Sequence, residues 1–127
     1  MLTIDFYHLQ PSADRNLFLC RLIEKIFSRQ HQLFVRCQNP AEAKVLDEQL
    51  WTFRDISFIP HGINDTHSPI ALGCGNIPAH HQDVLLNLAD TIPEDYQRMK
   101  RILELSSSVH QTYYEQQGIS TIHHTIC

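Results

Sequence analysis

No CxxC pair occurs among the four cysteines Cys20, Cys37, Cys74 and Cys127, and no signal-peptide pattern opens the sequence. A reduced, cytoplasmic setting is the expectation. Cys20 and Cys37 lie in apolar stretches, where a free cysteine behaves as a small hydrophobe. No apolar run approaches the ~20 residues of a membrane span. Clustered positive charge is also scarce. Ten Lys and Arg face fourteen Asp and Glu, for a formal charge of −4, and only Arg98, Lys100 and Arg101 stand close together. A surface that tracks phosphates needs a basic patch, so little direct nucleic-acid binding is expected. Repeats, linkers and low-complexity tracts are missing too, which leaves one domain over residues 1–127.

What is present is an ordinary globular composition, 43% hydrophobic and 19% charged. Leu2 to His8 reads as a first strand, halted at Pro11. Ser12 is a candidate cap for an amphipathic helix from about Ser12 to Gln30, with Leu19, Leu22, Ile23 and Ile26 at helical spacing. Gln32 to Cys37 is a second strand. Asn39-Pro40-Ala41-Glu42 is a helix start: Asn39 caps, Pro40 suits the first position and Glu42 reaches back. Ala43, Leu46 and Leu50 form that helix's buried stripe.

Ser57 to His61 reads as a short third strand. The stretch from Gly62 to Pro78 is loop-like, apart from a short apolar run at Pro69 to Leu72. Asp83 to Leu88 has the unbroken apolarity of a strand buried on both faces. Thr91-Ile92-Pro93-Glu94 predicts a third helix, Ile102 to Leu105 another strand, and Ser106 to Gln117 a last helix ended by Gly118. Strand and helix alternate. The expected fold is therefore α/β, an open, mainly parallel, twisted sheet with helices on both faces, Rossmann-like in class.

Few residues carry legible chemistry. Gly73-Cys74-Gly75 lacks the third glycine of a dinucleotide fingerprint and the Lys-Ser/Thr of a P-loop, so it reads as a turn. His80-His81 and His123-His124 contain good metal ligands. Neighbours on a strand point to opposite faces, however, and on a helix they diverge, so the histidines read as solvated and no metal is expected. Cys74 upstream of His80 is the one arrangement suggestive of a nucleophile and base. No cofactor is implied. The most informative residue is Trp51, about 100° around the helix from the centre of the Ala43-Leu46-Leu50 stripe. It either covers the edge of the core or anchors a partner. Phe53, Phe58, Ile59 and Pro60 follow closely and could extend an exposed apolar patch.

The segments Leu46-Asp47-Glu48-Gln49-Leu50-Trp51 and Ser57-Phe58-Ile59-Pro60-His61 resemble those of the chi subunit family of bacterial DNA polymerase III. His80 to Leu88 is similar to a second family segment, continued by Ile92-Pro93 and by Arg101-Ile102-Leu103-Glu104-Leu105. The resemblance covers nearly the whole chain in the same order. It implies an α/β adaptor of the clamp loader, without catalysis of its own. In that family the psi subunit docks on the face carrying the first motif, here Trp51 and Phe58 with Pro60 nearby. Some members use the same face for a helicase-like repair protein. A separate surface holds the acidic, phenylalanine-ended tail of single-stranded DNA-binding protein, which here implies Tyr113 and Tyr114. The basic residues that cradle the tail in the family are missing from Val109 to Gly118, which implies a weaker tail site or one rebuilt from Arg98, Lys100 or Arg101. The rival reading is a small nucleotide-binding or hydrolytic enzyme using the loop from Gly73 to His81.

Overall fold

A computed structural model describes residues 2–52, 61–63, 68–105 and 108–126, with only the backbone at 61 and 62. Among the described residues seven strands form one sheet: β1 (Thr3–Leu9), β2 (Leu33–Arg36), β3 (His61–Ile63), β4 (Ile70–Gly73), β5 (Val84–Asn87), β6 (Arg101–Leu105) and β7 (Ser120–Ile126). Their order is β3-β4-β2-β5-β6-β1-β7, and every pairing is parallel. The helices are α1 (Arg15–Ser28), α2 (Pro40–Thr52) and α3 (Ser108–Gln116).

Side chains alternate across this sheet and sort the core into two layers. Leu33, Val35, Ile70, Leu72, Val84, Leu86 and Leu103 pack with α1 and α2 on one face. Phe34, Ala71, Leu85, Ile102, Ile4 and Phe6 pack with Tyr96 and with Tyr114 of α3 on the other. The open parallel sheet with helices on both faces is therefore the observed architecture.

Local chemistry explains most boundaries. Asp14 accepts the Leu17 N–H at 3.1 Å, so α1 starts at Asp14 and not at Ser12. Asn39 accepts the Glu42 N–H at 2.8 Å, as its sequence position predicts. Glu42 returns to the Gln38 N–H at 2.9 Å, one residue before the cap. Gly118 takes a positive φ of 74°, and the Ile119 N–H reaches the Tyr114 carbonyl at 3.2 Å, closing α3 as a Schellman motif.

Three expectations change. The apolar run at Pro69 to Leu72 is a strand, β4, wedged between β3 and β2. The helix expected after Thr91 is a single 3-10 turn, Tyr96–Arg98. The Thr91 carbonyl and hydroxyl accept from Arg36 instead of starting a helix. The third unread element is β7, a polar-looking stretch that pairs with β1 from end to end. Of the strand expected over Ser57 to His61, residues 57–60 lie outside the described residues, and β3 begins at His61.

Candidate functional site

Trp51 lies on the flank of α2. Its buried stripe is Ala43, Leu46 and Leu50. Trp51, a little over a quarter turn away, keeps 58% of its surface exposed. At about 25 cal/mol per Å² of apolar area, the exposed part of the indole gains free energy when a partner covers it. Phe58 and Pro60, expected beside it, lie outside the described residues.

The two tyrosines of α3 separate cleanly. Tyr113 is 39% exposed and meets Tyr96 edge-on, with ring centroids 5.9 Å apart. Tyr114 is fully buried, its hydroxyl donating to Glu104 Oε2 at 2.8 Å. Burial is the largest of the effects that push its phenol pKa upward, ahead of the Glu104 charge. The expectation that Tyr114 contacts a peptide tail is corrected on this ground, since its ring belongs to the core.

Tyr114 and His110, one helical turn apart, dock α3 onto a polar row that crosses the carboxyl ends of the central strands. Arg36, Asn87 and Glu104 are register neighbours on β2, β5 and β6. Arg36 donates to Asn87 Oδ1 at 3.2 Å, and Asn87 Nδ2 donates to Glu104 Oε2 at 3.0 Å. Arg36 also donates to the carbonyls of Gly75 at 2.6 Å and Thr91 at 2.7 Å. Burial lowers its pKa, opposed by the Glu104 charge. His110 Nδ1 lies 3.0 Å from Glu104 Oε1, and its Nε2 lies 2.9 Å from the Asp90 carbonyl. The Glu104 hydrogen bond raises the His110 pKa. A cleft of about 580 Å³ opens over this row, lined by Arg15, Glu42, Asn87, Glu104, Val109 and His110 among others.

The network was not read from the sequence, though a signal existed. Asn87 and Glu104 are polar residues flanked by the apolar runs Val84-Leu85-Leu86 and Ile102-Leu103, and a buried polar residue nearly always has a partner.

The Gly73 to His81 loop is used for structure. The Gly75 carbonyl holds Arg36. Arg98 donates to the carbonyls of Ile77, Pro78 and His81 and pairs with Asp95. Arg98 is therefore committed and is not a replacement for the basic helix. Cys74 is exposed, whereas burial pushes the Cys37 thiol up to about 12. His81 is fully buried, edge-on to Phe34 at 5.8 Å, which corrects its reading as a solvated residue. On β7, His123 stacks on Phe6 and His124 on Tyr7, so the pair does face opposite sides of the sheet. Among the described residues no three His, Cys, Asp or Glu side chains are grouped to hold a metal ion.

Over residues 1–117 the chain matches the family described as DNA polymerase III chi subunit, HolC. The chain belongs to this family. It is 39% identical over 110 residues to the DNA polymerase III subunit chi of Pseudomonas aeruginosa, covering 83% of this chain and 77% of the relative. Against the subunit chi of Haemophilus influenzae it is 25% identical over 109 residues, covering 80% and 76%. Membership makes it an accessory subunit of a replicative polymerase. The edge strand β7 lies beyond the matched span. No described helix is long and apolar enough to cross a membrane.

Proposed function

We propose that this accessory subunit is a non-catalytic cytoplasmic adaptor, docking a psi-like clamp-loader subunit on the α2 flank. The observation that carries the reading is Trp51, 58% exposed on the shoulder of a helix whose stripe is already buried. Interfaces are dominated by such aromatic anchors, which gain most when a partner desolvates them. Phe58 and Pro60 are assigned to the same proposed surface through the resemblance of Ser57 to His61 to the family's first motif. A helicase-like repair protein is a second occupant for that face.

We further propose that the acidic, phenylalanine-ended tail of single-stranded DNA-binding protein contacts α3 through Tyr113. With no Lys or Arg between Ser108 and Gln116, charge-assisted hydrogen bonds are missing from that helix and the affinity is low.

The test is co-purification with a psi-like subunit. Trp51→Ala should leave the protein folded and abolish the association. If the complex survives both Trp51→Ala and Phe58→Ala, the surface is wrongly assigned. For the tail, an acidic peptide ending in Ile-Pro-Phe should bind at low salt and lose affinity in Tyr113→Ala. Undetectable binding at low salt removes that partner.

A further inference from the structure

Lysines and arginines that are dispersed along the sequence are gathered by the fold. A cleft of about 410 Å³ opens between the C-terminal half of α1 and the amino ends of β1, β5 and β6. Lys25 on α1 and Arg29 at its C-cap, one turn apart, line it from the helix, and Lys100 and Arg101 line it from the entry and first residue of β6. Four of the chain's ten basic residues thus meet at one concavity, with only two of its fourteen acids, Asp5 and Asp83.

Both acids are engaged. Asp5 is buried, pairs with Arg101, and lies 3.0 Å from His124 Nε2. Asp83 lies 3.1 Å from His31 Nδ1 and accepts the Gln32 N–H at 3.1 Å. Lys25, Arg29 and Lys100 are exposed, and among the described residues their side chains make no hydrogen bond or ion pair. A cation-rich concavity in a chain of net charge −4 concentrates field where an anion can enter.

The arrangement also limits the anion. Donors arrive from two sides, from α1 and from β6, so the ligand must present charged oxygens in two directions. Phosphates joined in series do so with a charge and non-bridging oxygens at each unit, enough for Lys25, Arg29 and Lys100, whereas a lone carboxylate brings a single charge. The buried Asp5 carboxylate repels an anion from the inner end, so the phosphates belong at the mouth. Leu22 and Leu103 offer an apolar wall for an uncharged portion further in.

We propose that this cleft binds a phosphate-bearing polyanion, the chemistry shared by a nucleoside polyphosphate and a single-stranded nucleic-acid backbone. The site is separate from the α2 flank and from α3, since neither Trp51 nor Tyr113 lines it.

The test is an amide NMR titration of the full chain at low salt with inorganic tripolyphosphate, an octathymidylate and a polyglutamate peptide. Tripolyphosphate should move the amides of residues 25–31 and 100–101. The Lys25→Glu, Arg29→Glu double variant should weaken binding about tenfold or more, since it removes two contacts and adds two repulsions. Lys25→Arg with Arg29→Lys should retain it, and Lys100→Glu gives an independent loss from the β6 side. Tighter binding of the octathymidylate identifies a strand as the source, and the reverse order identifies a small polyphosphate. Unmoved amides with both phosphates, equal affinity for polyglutamate, or binding indifferent to charge reversal overturns the proposal.

Discussion

The Nδ1 atom of His110 lies 3.0 Å from Oε1 of Glu104, and both side chains are almost fully withdrawn from solvent. The other imidazole nitrogen faces the Asp90 carbonyl at 2.9 Å. A carboxylate and a carbonyl are both acceptors, so the ring serves both only as the doubly protonated imidazolium. The Glu104 hydrogen bond accordingly raises the His110 pKa.

A group whose pKa is raised on folding stabilises the protein fully below its unfolded value, about 6.5 for histidine. That contribution disappears as pH rises through the raised folded value. His110→Gln should therefore cost most at low pH, about 1–3 kcal/mol for a buried charge-assisted pair. Urea unfolding of both proteins from about pH 5.5 to 9 should show their stability difference shrinking as pH rises. A pH-independent difference contradicts the ionised pair.

Tyrosine substitutions on α3 should separate core from surface. Tyr114→Phe strips a buried hydrogen bond from Glu104 and should destabilise by about 1–2 kcal/mol. Tyr113→Phe should stay within about 0.5 kcal/mol of the parent, as surface changes do. Thermal melts of the two variants are sufficient, and equal losses would contradict the placement of these rings.

The C-termini of α1 and α3 use the same motif with different residues. Gln30 sits at φ 64° with its N–H on the Phe27 carbonyl at 2.9 Å, and the next N–H, of His31, reaches the Ile26 carbonyl at 3.3 Å. Gln30→Gly should stabilise by up to about 1 kcal/mol, because only a side-chain residue strains that conformation. Gly118→Ala should lose about 1 kcal/mol for the same reason. No atom lies within 4 Å of a Cβ added at Gly118, so the loss is purely conformational. Denaturant midpoints of the two variants should move in opposite directions.

The strands of the central sheet were legible because apolar runs such as Val84 to Leu86 have little alternative to burial on both faces. The cap at Asn39 and the stop at Gly118 were legible because their chemistry is local. β7 was not: two histidines, two threonines and a serine read as solvent-facing, and only its pairing with all seven positions of β1 makes it a strand. The helix expected at Thr91 failed for a tertiary reason, since Arg36, 55 positions away in the chain, takes the Thr91 carbonyl and hydroxyl. Of the candidate partner residues, Trp51 was placed correctly off its stripe by helical periodicity alone. Tyr113 and Tyr114 could not be separated by sequence, because the buried acceptor that captures Tyr114 comes from β6. The cation cleft was illegible for a similar reason, as Lys25 and Lys100 meet only after α1 folds across the sheet.

Docking on the α2 flank requires the exposed face of Trp51 to pass from water into a partner. Trp51 is the only tryptophan in the chain, so its fluorescence reports that surface alone. Titrating the protein with a tryptophan-free psi-like subunit should shift the emission to shorter wavelength and shield the indole from acrylamide quenching, saturating with complex formation. If the complex forms while emission and quenching stay those of the free chain, the α2 flank is not the docking surface.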